Sequence, residues 1–423
     1  MDTLQLENHI KESIREYFKI KEFKNNYKVP LSESTILVED IIEAVDSLLN
    51  LRLTMSDKVR KFEEEWAAYN NTKHSILLNS GTSANFLALS ILTNKTLKNR
   101  MNRGAEVITS PVTFPSSVFP IPQNGLVPVF VDVDLETMNI DPSKIETAIT
   151  PKTKAILPVH FMGMPCDMKA IMEIAEKHDL FVIEDACEAH GAQVDNKKVG
   201  TFGDMGTHSF FFSHHIATGE GGSIITENET YAELAHCLKS YGWVRNMRKK
   251  DELSNKYRSV IDPRHLYVNI GYNLKPTEIT AALGLHQISK IEEVIDHKRN
   301  VARQLNAKLS EFEDVLFLPH DKTGTKHTYL GYPIVIRSEA SFDKFDMMNY
   351  LEKNSIETRQ LEAGNMLQQP SIALFKHRVV GEIKNSKTIM RGGFFIGDHM
   401  GMDKEQIEYI TTTISNFIES RPR

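Results

Sequence analysis

Three short stretches carry residue types that could do chemistry together. The first is Ser80-Gly81-Thr82-Ser83-Ala84-Asn85, where an apolar run (HSILLNS) breaks into a helical one (ANFLALSIL). A helix N-terminus exposes unpaired N–H groups and the positive end of the helix dipole, so it suits a phosphate. Gly81 permits close approach, and Thr82 and Ser83 add hydroxyls. The same residue types also suit a plain capped helix start. The second stretch is Val182-Ile183-Glu184-Asp185-Ala186, an apolar strand that ends in acid. Ligands of open α/β sheets bind at the carboxyl ends of strands. A carboxylate there can keep a pyridinium nitrogen protonated and make the ring an electron sink, or it can simply cap the next helix. The third is Ser209-Phe210-Phe211-Phe212-Ser213-His214-His215, followed by Thr218-Gly219-Glu220-Gly221-Gly222. Imidazole moves protons near neutral pH, although a buried structural histidine is the plainer alternative. Neighbouring residues on extended backbone point apart, so the His pair is a poor chelate and no metal is expected. The glycines do not spell G-x-G-x-x-G, which argues against a dinucleotide.

These stretches need a scaffold. EVITSP, VPVFVDVD, KAILPVHF and LFVIEDA are short β-rich runs interleaved with helical ones such as DMKAIMEIAEKH. That alternation predicts an α/β fold with a mostly parallel sheet. HSFFFS and GSIITEN predict two more strands around the loop HHIATGEGG. LVEDIIEAVDSLLNL has the spacing of an amphipathic helix, and Pro276 opens one long helical pattern through LNAKLSEF. YLGYPIVIR, FDMMNYLEKN and a last helix from about Asp403 read as a smaller α+β unit. The expected division is a helical arm (1–55), a large α/β domain (56–295) and a small α+β domain (296–423).

Composition narrows the class. The chain has 423 residues, 41% hydrophobic and 25% charged, which is ordinary for a globular protein. A net charge of −6 lacks the basic footprint of a nucleic-acid binder. The three cysteines, Cys166, Cys187 and Cys237, form no C-x-x-C pair and suggest a reducing, cytoplasmic setting. The N-terminal stretch is charged throughout, so no signal peptide is expected, and no apolar run approaches the ~18 residues of a membrane span.

Together, SGTSAN, the Ser110–Phe114 segment, IEDACEAHGA, SFFFSHH, GEGG and GYNLKPTEITAALGL resemble the sugar-nucleotide aminotransferases and dehydratases among the fold-type I pyridoxal 5′-phosphate (PLP) enzymes. The resemblance runs from about Lys28 to the C-terminus. It implies a large mostly parallel α/β/α domain, a smaller C-terminal domain and a homodimer with shared sites. By the same resemblance, Gly81, Thr82, Ser83 and Ser209 hold the cofactor phosphate, and Asn273 reaches it from the partner subunit. Phe114 stacks on the pyridine ring and Asp185 pairs with its nitrogen. Glu188 stands by the ring hydroxyl, where the family usually has Gln.

One departure bears on function. His214 stands where the family carries the lysine that tethers the cofactor. An imidazole cannot form that bond, which implies a non-covalently held cofactor that cycles through pyridoxamine phosphate (PMP). This exchange resembles the subgroup of NDP-4-keto-6-deoxyhexose 3-dehydratases, as do HHIATGEGG, Tyr241-Gly242-Trp243 and Thr358-Arg359-Gln360-Leu361. One branch of that subgroup carries a [2Fe–2S] cluster on four cysteines. This chain has three, with none between Tyr241 and Gly271, so the resemblance implies the iron-free branch. That branch acts on GDP-4-keto-6-deoxymannose on the route to colitose, takes glutamate as amino donor and uses His214 as its acid–base. His215, Arg245, Arg248 and Arg359 are candidates for the nucleotide sugar. A CDP-linked substrate, an ordinary aminotransferase and a non-catalytic PLP-binding sensor are the alternatives.

Overall fold

The chain begins with helices α1 (Thr3–Ile20), α2 (Val38–Leu49) and α3 (Asp57–Tyr69), then enters its first strand, β1 (His74–Leu78). This computed structural model describes residues 2–21, 25–247 and 249–421. Helix α4 (Gly81–Leu92) follows β1 at once, and β2 (Glu106–Thr109), β3 (Val127–Phe130), β4 (Thr153–Ile156), β5 (Phe181–Asp185), β6 (Met205–Ser209) and β7 (Gly222–Thr226) come next. Later strands are β8 (Leu316–Phe317), β9 (Tyr332–Ile336), β10 (Thr358–Gln360), β11 (Arg378–Val379) and β12 (Gly393–Ile396).

The large sheet has eight strands in the order β1-β7-β6-β5-β4-β2-β3-β11. From β6 to β11 all neighbours run parallel, and β7 is antiparallel to both of its neighbours. The reversal follows from connectivity. Parallel neighbours need a crossover, usually helical, and the loop from Phe210 to Gly221 returns directly to the sheet instead. Strands β1 and β7 are buried along their whole length, which explains their near-continuous apolar sequence. A second sheet, β8-β9-β12-β10, belongs to the smaller unit. The large sheet with its flanking helices is the architecture of fold-type I PLP enzymes.

Two sequence expectations change. HSFFFS was read as strand to its end, but β6 stops at Ser209; Phe210 turns into the core while Phe211 and Phe212 are exposed. The long pattern after Pro276 is two helices, α5 (Glu278–Ile288) and α6 (Ile291–Leu309), with a bend at Ser289-Lys290. Ile288 and Ile291 keep the i, i+3 spacing across the bend, so periodicity cannot see it. The first part of α6 packs with Trp66, and Val301, Ala302, Leu305 and Leu309 join the core of the smaller unit. A boundary at 295/296 thus falls inside one helix.

The first 55 residues also divide. Helix α2 lies on α5. Val29 is fully buried in the smaller unit's core, where it bridges to Ile356. Helices α7 (Asn385–Gly392) and α8 (Lys404–Glu419) complete that unit. Asp132, just past β3, accepts N–H bonds from Lys384, Asn385 and Ser386, each at 2.8 Å, and so clasps the start of α7 to the large sheet.

Candidate active site

The carboxyl ends of β1, β5 and β6 converge on the start of α4. Ser80 caps this helix: its Oγ accepts the Ser83 N–H at 3.1 Å and lies 3.0 Å from the Ser83 Oγ. Gly81 is needed for close approach. A Cβ there would lie 2.6 Å from the Ser209 Cβ, 3.0 Å from its Oγ and 3.1 Å from the Cys187 Sγ. Thus the end of β6 and the loop after β5 both press on the first turn. Thr82 is exposed and Ser83 half-buried at the open side. Gly222 serves packing, since a Cβ on it would collide with the Ser80 carbonyl.

Asp185 ends β5 and is buried. Its Oδ2 accepts from Asn85 Nδ2 at 2.7 Å and from Ser117 Oγ at 2.6 Å, and its Oδ1 accepts the Cys187 N–H at 3.1 Å. All three donors are neutral, so the charge stands ready for a cation. Each side-chain donor is itself held: the Thr207 hydroxyl donates to the Asn85 carbonyl oxygen at 2.7 Å, and Thr113 and Ser117 hydroxyls meet at 2.7 Å. Sequence reasoning missed Asn85, Ser117 and Thr207. Two of them sit within or beside segments already singled out, but their polar role appears only once the strands are aligned. Glu184 faces the other side of the sheet, as strand alternation requires. It accepts N–H bonds from Gly200, Phe202 and Gly203, at 2.8, 2.6 and 2.8 Å, and meets His160 at 3.2 Å.

His214 is half-buried in the loop after β6, with its N–H on the Phe211 carbonyl at 3.0 Å. Its Nδ1 has no partner among the described residues. Burial lowers its pKa to about 4, with the field of Asp185 acting the other way. The imidazole is therefore neutral at pH 7 and can accept a proton. His215 departs from the substrate-contact expectation. It is buried, its Nε2 lies 2.8 Å from the Thr328 carbonyl oxygen, and burial pushes its pKa to about 3. It packs beside the buried His190, 5.6 Å away between ring centres with the rings tilted by 46°.

Phe114 is half-exposed at the start of a short helix, free to face a planar ligand. Glu188 is buried and its Oε2 accepts the Met162 N–H at 2.6 Å. The remaining candidates do not gather here within one chain. Asn273 is exposed and bridges to Ser240. Arg245 is exposed over Trp243, 5.2 Å from its ring centre. Arg359 projects from β10 into solvent, 3.9 Å from Glu357. Arg248 lies outside the described residues.

The arrangement fits PLP. The first turn of α4 with Ser209 offers N–H and hydroxyl donors to a phosphate, and Asp185 offers an unpaired buried charge to a protonated ring nitrogen. Among the described residues no group of three or more His, Cys, Asp or Glu is disposed to hold a metal, and no helix is long and apolar enough to cross a membrane.

Comparison with known proteins supports the fold and the PLP assignment. The profile of the DegT/DnrJ/EryC1/StrS aminotransferase family matches residues 35–415. A dTDP-4-dehydro-2,6-dideoxy-D-glucose 3-dehydratase from Saccharopolyspora spinosa is 36% identical over 390 residues, 90% of this chain and 84% of that protein. A GDP-4-keto-6-deoxy-D-mannose 3-dehydratase from Yersinia pseudotuberculosis is 34% identical over 384 residues, 90% of this chain and 96% of its own. The solved structure of the E. coli GDP-4-keto-6-deoxy-D-mannose-3-dehydratase with bound hydrated PLP superposes with a TM-score of 0.87 at 31% identity, covering 92% of this chain and 100% of that one.

Proposed function

Because the chain belongs to the DegT/DnrJ/EryC1/StrS aminotransferase family, we propose that it removes the C3 hydroxyl from an NDP-4-keto-6-deoxyhexose, with GDP-4-keto-6-deoxy-D-mannose as the favoured substrate and glutamate as the amino donor. It is a PLP enzyme of nucleotide-sugar metabolism; when bound, PLP supplies an electron sink conjugated to an amine. What supports the reading is the imidazole of His214, within the field of Asp185, at the position where the resemblance puts the aminotransferases' tethering lysine. Lys197 and Lys198, the nearest lysines in sequence, are held elsewhere: Lys197 over the Phe202 ring at 4.4 Å, Lys198 over the Tyr69 ring at 3.2 Å.

In this reading the first turn of α4, with Ser209, binds phosphate, Phe114 covers the ring, and Asp185 holds the ring nitrogen's proton. Asn85 and Ser117 fix the Asp185 carboxylate in place. His214, neutral at rest, takes the α-proton of glutamate in the first half-reaction. In the second it would take a proton from the carbon that bears the cofactor's amine and pass it to the departing C3 oxygen, which leaves as water. General acid–base help of this kind is worth ~10²–10⁴-fold. Asn273 is exposed, and in this reading it reaches the phosphate bound by a second copy, so that the working unit is a homodimer.

The test is incubation with glutamate and GDP-4-keto-6-deoxymannose, followed by mass analysis. The expected product has lost one hydroxyl oxygen, and 2-oxoglutarate accumulates. The CDP- and dTDP-linked analogues, run alongside, decide the nucleotide. An amino sugar as sole product would mean an aminotransferase, and absence of 2-oxoglutarate would leave only a PLP-binding sensor.

A further inference from the structure

We propose that the entries to β2, β3, β4 and β11 form a binding site for an oligophosphate, an anion with two or more linked phosphate groups. These four strands are neighbours in the large sheet and run parallel, so the segments leading into them meet along one edge of it. There they enclose a cleft of about 690 Å³, within the size range of small-ligand sites. The ring site lies at the carboxyl ends of β5 and β6, which continue the same parallel run, so the cleft sits at the other end of the sheet. A ligand bound here leaves the cradle at α4 free.

The cleft is cationic without compensation. Arg100 and Arg103 before β2, Lys152 and Lys154 at the start of β4, and Lys376 before β11 all line it, and all five are exposed. Among the described residues no Asp or Glu lines it, and none of the five side chains has a hydrogen bond or ion pair. Cations nearby in the chain do find partners: Lys144 lies 3.4 Å from Asp141, and Lys177 lies 2.7 Å from Glu146. Glu106, the first residue of β2, is buried and already engaged, its Oε2 accepting from Arg378 and from the Thr150 hydroxyl, each at 2.8 Å. Five like charges in one concavity repel one another, in a chain whose net charge is −6. A bound anion relieves that repulsion.

The backbone shapes the concavity. Gly104 (φ 83°) and Gly125 (φ 74°) occupy the left-handed region that glycine tolerates, and the Gly104 N–H donates to the Gly125 carbonyl at 2.8 Å. That bond ties the turn before β2 to the turn before β3. The stem of Arg103 lies across Gly125, where an added Cβ would sit 3.2 Å from the arginine Cγ. Phe375, half-buried, lines the cleft beside Lys376 and makes a T-shaped contact with Phe119, 6.2 Å between ring centres.

Linked phosphates fit this set of cations. Each phosphate offers oxygens to a guanidinium fork or an ammonium, and a chain of them carries enough negative charge to meet cations that enter from three segments. A single phosphate engages part of the set and leaves the rest in mutual repulsion. A nucleic acid or an anionic membrane extends beyond the concavity, onto a chain whose net charge is negative.

The test is calorimetric titration of the PLP-saturated protein with inorganic tripolyphosphate, so that the cradle at α4 is already filled. One site per chain is expected, with an affinity that falls as salt is raised. It should weaken about tenfold when Lys152→Ala is combined with Lys154→Ala, and again when Arg100→Ala is combined with Arg103→Ala, since each pair removes charge-assisted hydrogen bonds. Orthophosphate should bind at least about tenfold more weakly than tripolyphosphate. ATP, run alongside, separates the sources: binding tighter than tripolyphosphate assigns a nucleotide, and equal or weaker binding assigns the free anion. No saturable binding, an affinity unchanged in both double variants, or orthophosphate binding as tightly as tripolyphosphate would each overturn the proposal. Tighter binding of a single-stranded oligonucleotide or of anionic lipid vesicles would overturn it too, in favour of a macromolecular surface.

Discussion

His214 is the residue on which the chemistry turns. His214→Lys should capture PLP covalently, so that borohydride fixes it to the chain and the absorption spectrum shifts; an unchanged spectrum would contradict the role given to the imidazole. Its depressed pKa sets an acid limb. The base form predominates above about pH 4 and is lost as pH falls through that value, so 2-oxoglutarate formation should persist at pH 6 and fade toward pH 4. Asp185 stood out in the sequence as an acid closing an apolar strand, and the structure does put it at the buried end of β5. Asn85, Ser117 and Thr207 did not, because they support Asp185 from segments brought together only in the sheet. His215 follows His214 directly in sequence, yet its ring is buried against the Thr328 carbonyl, a placement that no local pattern records.

At the scale of elements, the phosphate cradle depends on β7 sliding past the cap of α4. Gly222→Ala puts a methyl against the Ser80 carbonyl. Overpacking of this kind costs about 1–3 kcal/mol. It should lower both the melting temperature and PLP affinity, while Gly219→Ala, whose Cβ would meet nothing within 4 Å but whose φ of 80° strains any side chain, should lower the melting temperature and spare the cradle. The strand–turn–helix of the cradle was legible, since β1 and α4 differ sharply in period and are split by Ser80-Gly81. The bend between α5 and α6 was hidden, because a hydrophobic stripe records which side is buried and not against which neighbour.

For the whole molecule, burial leaves several histidines neutral when folded: His208 and His215 fall to about 3, and His214 and His327 to about 4. The unfolded chain protonates them near pH 6.5. Between roughly pH 6.5 and pH 4 it takes up protons that the fold refuses, so stability falls with pH by up to about 1.4 kcal/mol per pH unit for each such group. Melting curves at pH 7.5 and pH 5 should differ widely; coincident curves would contradict the burial. The α/β class, the large sheet and a smaller C-terminal unit were all foreseeable from alternating strand and helix patterns. The seam between the units was not, because Asp132, Val29 and Asn365 make contacts over sequence distances that no local pattern records.

Val29 has a consequence for how the chain is made. Its partners include Phe394 and Phe417 in one core, and its backbone is gripped by Ser355 and Glu357. During synthesis this early segment must wait, unsheltered, until helix α8 leaves the ribosome. The smaller unit therefore closes late in synthesis, and a chain cut short before α8 should retain the large sheet but leave Val29 without the Phe417 side of its core.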